Sequence, residues 1–115
     1  MEIAAYSLQG LLALIFLMAG GTKLAGLKMH VDHFNRWRLP PWFRIVTGIV
    51  EVAGAVLLII GYWVPALAIA GGLVLGCTGI GGVITHARVK DPVKETMPIA
   101  VLGIFSFAVF VLYIL

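Results

Sequence analysis

Long runs of uncharged, mostly apolar residues alternate with short polar segments along the chain. Residues 3–22 and 96–115 contain no Asp, Glu, Lys or Arg, and residues 45–87 contain only Glu51. A helix that crosses a bilayer needs about 20 mostly apolar residues. The two outer runs therefore each accommodate one such helix, and the middle run accommodates two. The pattern predicts four membrane-spanning helices.

The middle run divides at residues 61–65, where the sequence reads Gly-Tyr-Trp-Val-Pro. Glycine disfavours helix, Tyr and Trp are enriched at the membrane surface, and Pro suits the first turn of a new helix. We therefore predict an all-α integral membrane protein, a bundle of four transmembrane helices that forms one domain over residues 1–115. The predicted spans are at about 4–26, 44–61, 65–87 and 97–115.

The longest polar segment lies between the first two predicted spans, at residues 28–43. Val31, Phe34 and Trp37 recur at every third position in it, with polar and charged residues between them. This pattern is typical of a short amphipathic helix that lies in the membrane interface, and the two prolines at 40–41 would end it. Two interpretations are open: a plain interfacial hairpin, or a lid over a ligand.

The composition supports a membrane protein. The 115 residues are 62% hydrophobic and 11% charged, and the mean hydropathy is +1.10. About half of the residues of a soluble domain are apolar, and about a quarter are charged. A chain as short as this one could not bury its additional apolar residues in a single core. A soluble enzyme is therefore excluded. The single cysteine also excludes an intrachain disulfide and a relay between paired thiols.

The distribution of positive charge predicts an orientation. All eight Lys and Arg residues lie at or beside the loops that join spans one to two and three to four. The positive-inside rule places such loops in the cytoplasm, so both termini are expected on the outer side of the cell membrane. The excess of Lys and Arg over Asp and Glu then reflects contact with anionic lipid headgroups and not with nucleic acid.

Three ionisable residues stand within the predicted spans, at Lys23, Glu51 and His86. The topology brings all three to the basic end of the bundle, and the helical rise of about 1.5 Å per residue puts Lys23 and Glu51 at comparable depth. A charge inside a bilayer is costly without a partner or water. We therefore expect Lys23 to pair with Glu51, with snorkelling of Lys23 to the headgroups as the alternative. Gly79 and Gly82 precede His86 on its helix and would leave space for a ligand.

Small residues recur in the third predicted span. Ala68, Gly72 and Gly76 follow one another at four-residue spacing. Membrane helices associate through such smooth surfaces because lipid provides no hydrophobic drive between them. This stripe of three small residues predicts either close packing within the bundle or a homodimer.

Three histidines could approach one another at the basic end. His30 and His33 stand three residues apart in the first loop, and His86 lies at the same end. Three imidazoles could hold a metal ion or a haem. Loop histidines at an interface are more often solvated, and we therefore predict no metal site.

Four short motifs resemble the DoxX-like small membrane proteins: AGGTKL at 19–24, LPPW at 39–42, GIVEVAG at 48–54 and TH at 85–86. The resemblance covers essentially the whole chain, and Lys23, Glu51 and His86 match polar positions of that family. It implies a four-helix bacterial membrane protein, in a group named for a small subunit of a thiosulfate:quinone oxidoreductase. It also implies that relatives include proteins linked with oxidative stress and membrane partners of other proteins.

Three functions fit these observations. In the first, Lys23, Glu51 and His86, with Gly79 and Gly82, form a site for a quinone or another small amphiphile, in a membrane subunit of a redox system. In the second, the polar residues only hold the helices in register, and the protein is a scaffold or chaperone-like partner of other membrane proteins. The third is a small proton or solute carrier. None of the three makes the chain an enzyme on its own.

Overall fold

The structure, a computed structural model, describes residues 2–115, and these are helical with short connections. The described residues form five helices: α1 (Ile3–Ala25), α2 (Lys28–Arg36), α3 (Pro41–Ile60), α4 (Pro65–Arg88) and α5 (Val93–Ile114). Four of them, all except α2, are long and apolar enough to cross a membrane. The prediction of an all-α protein with four spans is thereby confirmed.

Two helices begin earlier than the charge pattern predicts. Helix α3 begins at Pro41 and not near residue 44, and α5 begins at Val93 and not near residue 97. Pro41 occupies the first helical turn, where its missing N–H costs nothing. The first turn of α5 includes the acidic Glu95. The sequence pattern located the apolar part of each helix, whereas the helices themselves extend by about a turn into polar sequence.

A tight turn joins α1 to the short helix α2. Gly26 has a φ of 72°, and its N–H bonds to the carbonyl of Lys23. The left-handed conformation is costly for residues with a Cβ, so glycine suits this position. The turn folds α2 back over the end of the bundle, and α2 ends before the two prolines, as the sequence predicts.

The four long helices pack in a ring. Helix α1 contacts α3 and α5, and α4 also contacts α3 and α5, while α2 crosses one end on α3 and α1. The molecule measures 40 Å along its longest axis, which matches the roughly 40–45 Å of a bilayer with its headgroups. The interior is filled by fully buried side chains from all four long helices, among them Leu12, Phe16, Leu58, Leu75 and Val109.

The small residues of α4 pack against neighbouring helices of the same chain. A Cβ at Gly72 would lie 2.9 Å from the Ser106 carbonyl oxygen, and one at Gly76 would meet the Phe107 ring at 2.6 Å. Ala68 is fully buried. The packing alternative therefore accounts for the stripe predicted from the sequence.

The end of the bundle opposite α2 holds a buried polar network that the sequence analysis missed. Gln9 is fully buried, donates to the Leu58 carbonyl at 2.7 Å and accepts a hydrogen bond from the Tyr113 hydroxyl at 2.6 Å. Nearby, the Tyr62 hydroxyl donates to the Tyr6 carbonyl at 2.5 Å. These bonds satisfy groups that would be costly to bury alone, and they join α1 to α3, to α5 and to the α3–α4 turn.

Candidate functional site

A cavity of about 390 Å³ lies under α2, and all four long helices contribute to its wall. This volume falls within the roughly 300–1,000 Å³ of small-molecule sites. Most of its wall is apolar or aromatic, and the residues that provide this surface include Phe34, Trp37, Leu39, Phe43, Val46, Val50 and Ile99. Helix α2 lies over this cavity at the basic end of the bundle. We call this cavity the covered cavity.

Lys23 and Glu51 meet on the wall of the covered cavity. The Lys23 Nζ lies 2.8 Å from the Glu51 Oε1, and their side chains are only 13% and 4% exposed. The carboxylate comes from the middle of α3 and the ammonium from the last turns of α1. The two side chains, which the sequence places at comparable depth on different helices, are therefore in contact in the structure.

The Glu51 carboxylate is shielded within the wall of the cavity. Its Oε1 atom is closed to solvent, and the Lys23 Nζ lies against it. Buried acceptors usually have a donor, and the Lys23 ammonium stands where such a donor would be. Of the two side chains, that of Lys23 is the more exposed.

His86 is held by an aspartate that the sequence analysis did not select. The His86 Nδ1 lies 2.6 Å from the Asp91 Oδ2, and the Trp37 Nε1 donates to the same oxygen at 3.3 Å. Arg36 donates to the other carboxylate oxygen. Burial alone would raise the pKa of Asp91, but the hydrogen bonds from Arg36, His86 and Trp37 hold it below its ordinary value. Because the Asp91 carboxylate occupies the Nδ1 side of the His86 ring, Nε2 is the ring nitrogen left for another partner.

Asp91 also fastens α2 over the covered cavity. Arg36 and Trp37 bind Asp91 from the end of α2, and the Arg88 guanidinium donates to the Trp37 carbonyl. The Trp37 and His86 rings meet edge to face, with centroids 5.1 Å apart. The Asp91 carboxylate therefore positions both α2 and His86.

Of the five residues that the sequence proposes for the site, four line the cavity: Lys23, Glu51, Gly82 and His86. Gly79 does not. A Cβ at Gly79 would lie 2.5 Å from the Gly103 Cα, so this glycine permits contact between α4 and α5. Lys23 and Glu51 form one pair, and His86 forms a second with Asp91.

Both loop histidines line the covered cavity together with His86. The His30 Nε2 is within hydrogen-bonding distance, 2.8 Å, of the Thr22 hydroxyl. His86 is already engaged by Asp91. No three His, Cys, Asp or Glu side chains within residues 2–115 form a group suited to a metal ion.

His30 gives the stability of α2 a pH dependence. Its burial, together with the charges of Lys23, His33 and Arg44, lowers its pKa below the ordinary value of 6.5. The unfolded chain therefore binds a proton that the folded protein does not, and stability falls as the pH drops through 6.5 toward the lower folded pKa. We expect the melting temperature to fall between about pH 7.5 and pH 5.5. The fall should be smaller in His30→Gln, and an equal fall in both proteins would contradict this assignment.

The fold and the covered cavity define a small four-helix membrane protein whose cavity combines a mostly apolar wall with a few polar side chains. The DoxX-like family matches residues 7–109, and the chain belongs to that family. It is also similar to the uncharacterized protein YdgD of Bacillus subtilis (strain 168), with 34% identity over 73 residues. That match covers 63% of this chain and 64% of the relative, slightly less than two thirds of its length. No solved structure matches the chain.

Proposed function

We propose that the protein binds a small amphiphile, such as a quinone or its hydroquinone, as a membrane subunit associated with a redox or oxidative-stress system. The observation that carries this proposal is the covered cavity, in which Lys23, Glu51 and His86 stand on an otherwise mostly apolar wall. An aromatic head group with one or two oxygens fits such a site, because its ring contacts the apolar wall and its oxygens meet the polar groups.

The exposure of the Lys23–Glu51 pair suggests which of its members a ligand would contact. Glu51 Oε1 is closed to solvent, whereas the Lys23 side chain is the more exposed of the two. The Lys23 ammonium carries hydrogens that a carbonyl or hydroxyl oxygen can accept. A quinone carbonyl and a hydroquinone hydroxyl both provide such an oxygen.

The alternative is a scaffold or chaperone-like partner of other membrane proteins, in which the polar groups serve the fold alone. The Asp91 contacts favour this reading, since they join α2 to the α4–α5 connection without any ligand. A proton or solute carrier is a third candidate. Gln9 adds a polar group at the opposite end, but the fully buried apolar Phe16 lies on α1 between Gln9 and Lys23.

A thermal-shift measurement tests the binding proposal. Purified protein in mild detergent is heated with and without a short-chain quinone and its hydroquinone, as wild type and as His86→Ala. We expect the ligand to raise the melting temperature of the wild type, with a smaller rise in His86→Ala, because binding to the folded state alone stabilises it. Absence of any shift in the wild type would contradict the proposal. A scaffold would show a lower melting temperature in His86→Ala and no ligand effect in either protein.

We further propose that the basic end of the bundle faces the cytoplasm, with both termini outside. The clustering of all Lys and Arg residues beside two loops supports this orientation. A cysteine at Lys28, whose side chain is 91% exposed, should resist a membrane-impermeant thiol reagent in intact cells and react after lysis. The test uses a Cys77→Ala background, and ready labelling of intact cells would reverse the orientation.

A further inference from the structure

A second cavity, of about 520 Å³, lies beside the first, where the end of α2 meets the end of α4. We call it the basic cavity. Its lining consists of Arg36, Arg38, Arg88, Val89 and Lys90. Four of these five residues carry a positive charge, and they come from two segments about 50 residues apart in the chain. The fold therefore gathers cations at one point of the surface.

The acidic residues nearby neutralise only part of this charge. Arg36 forms ion pairs with Asp91 and, at 3.6 Å, with Glu95. Arg88 uses one guanidinium nitrogen on the Trp37 carbonyl, which carries no net charge. Within residues 2–115, Arg38 and Lys90 have no carboxylate partner, and both are exposed. The basic cavity thus has positive charge in excess, with donors available.

The backbone holds Arg38 and Lys90 in the same unusual conformation. Arg38 has a φ of 60° and Lys90 a φ of 59°, and these are the positive-φ residues other than glycine in the described chain. Each stands just past a helix end, and the N–H of the residue after it bonds to a carbonyl five residues back. Glycine is the usual residue in this turn because a Cβ is strained there. Two matching turns therefore carry long cationic side chains where the backbone would favour glycine.

We propose that the basic cavity binds a phosphate group. Guanidinium groups present paired N–H donors that match two phosphate oxygens, and a lysine ammonium adds a point charge. A bound anion would also relieve the repulsion among the four cations, which the two carboxylates on Arg36 do not remove. The phosphate could belong to an anionic lipid headgroup or to a soluble phosphate compound. This site is independent of the proposed amphiphile in the covered cavity.

The test compares two double variants that remove the same charge. Arg38→Gln/Lys90→Gln alters the basic cavity, and Lys28→Gln/Lys94→Gln removes two cations that do not line it. In one arm, pyrophosphate is titrated against the full chain in neutral detergent by calorimetry. In the other, native mass spectrometry follows binding of phosphatidylglycerol, with phosphatidylcholine as the reference lipid.

We expect saturable binding in at least one arm. The affinity should fall about tenfold or more in the basic-cavity variant, since each charge-assisted hydrogen bond contributes about that factor. It should change by less than about twofold in the control variant, because neither of its lysines lines the cavity and exposed charges are screened by salt. Binding of phosphatidylglycerol alone assigns the site to a lipid headgroup, and binding of pyrophosphate assigns it to a soluble phosphate. Absence of saturable binding in both arms, or an equal loss in both variants, would overturn the proposal.

Discussion

Replacing Lys23 with Met is expected to destabilise the protein by about 3–5 kcal/mol, because it leaves the carboxylate of Glu51 buried without a positive partner. Glu51→Leu is expected to have a comparable effect by stranding the ammonium. The double variant should lose much less than the sum of the two, since it removes both charges together. The measurement is a double-mutant cycle on the free energy of unfolding in detergent.

Lys28 provides the matched control for this cycle. It also faces a carboxylate, that of Asp32 at 3.6 Å, but both side chains are well exposed. Ion pairs on the surface contribute between zero and about 1 kcal/mol, so Lys28→Met should change stability little. Additive losses at Lys23 and Glu51 would show that the two residues act separately and that Lys23 is stabilised by the headgroups instead.

A single methyl group at Gly79 is expected to destabilise the bundle by about 1–3 kcal/mol or more. The added Cβ would lie 2.5 Å from the Cα of Gly103, and backbone cannot move aside as a flexible side chain can. The expected loss therefore reflects separation of α4 from α5. The unfolding free energy of Gly79→Ala measures it.

Gly81, two residues away on the same helix, is the control. A Cβ there meets nothing within 4 Å, and alanine favours helix over glycine by up to about 1 kcal/mol. Gly81→Ala should therefore be neutral or stabilising. Equal losses in the two variants would mean that α4 and α5 do not approach each other as closely at Gly79 as a Cβ distance of 2.5 Å implies.

The sequence predicted most of the fold because a bilayer imposes simple rules. Apolar runs of about 20 residues must be helical, and Gly and Pro between two such runs marked the turn between α3 and α4. The same reliance on apolar runs placed the first residues of α3 and α5 too late in the sequence. Residues 41–43 and 93–96 lie outside the uncharged runs or at their edges, and hydrophobicity alone does not show that they are helical.

The sequence also placed Lys23 and Glu51 at similar depth, since helical rise converts residue number into distance. It did not reveal Asp91 or Gln9. Asp91 lies 54 residues from Trp37, and its role depends on how α2 folds back over the bundle. The available signal was an acidic residue placed between basic ones at 88–94. Gln9 is one polar residue inside a long apolar run, and its partners Leu58 and Tyr113 are distant in sequence.

If the covered cavity holds an amphiphile in the membrane, the purified protein should still contain it. Gly81 lines the cavity and has open space around it, so the Gly81→Leu side chain should take up part of the cavity without disturbing the fold. Both proteins are purified from membranes in mild detergent, examined by absorption spectroscopy and extracted for mass spectrometry. We predict that the wild type retains a stoichiometric amphiphile and that folded Gly81→Leu has lost it. A wild type that retains none, or equal retention by both proteins, would contradict the claim.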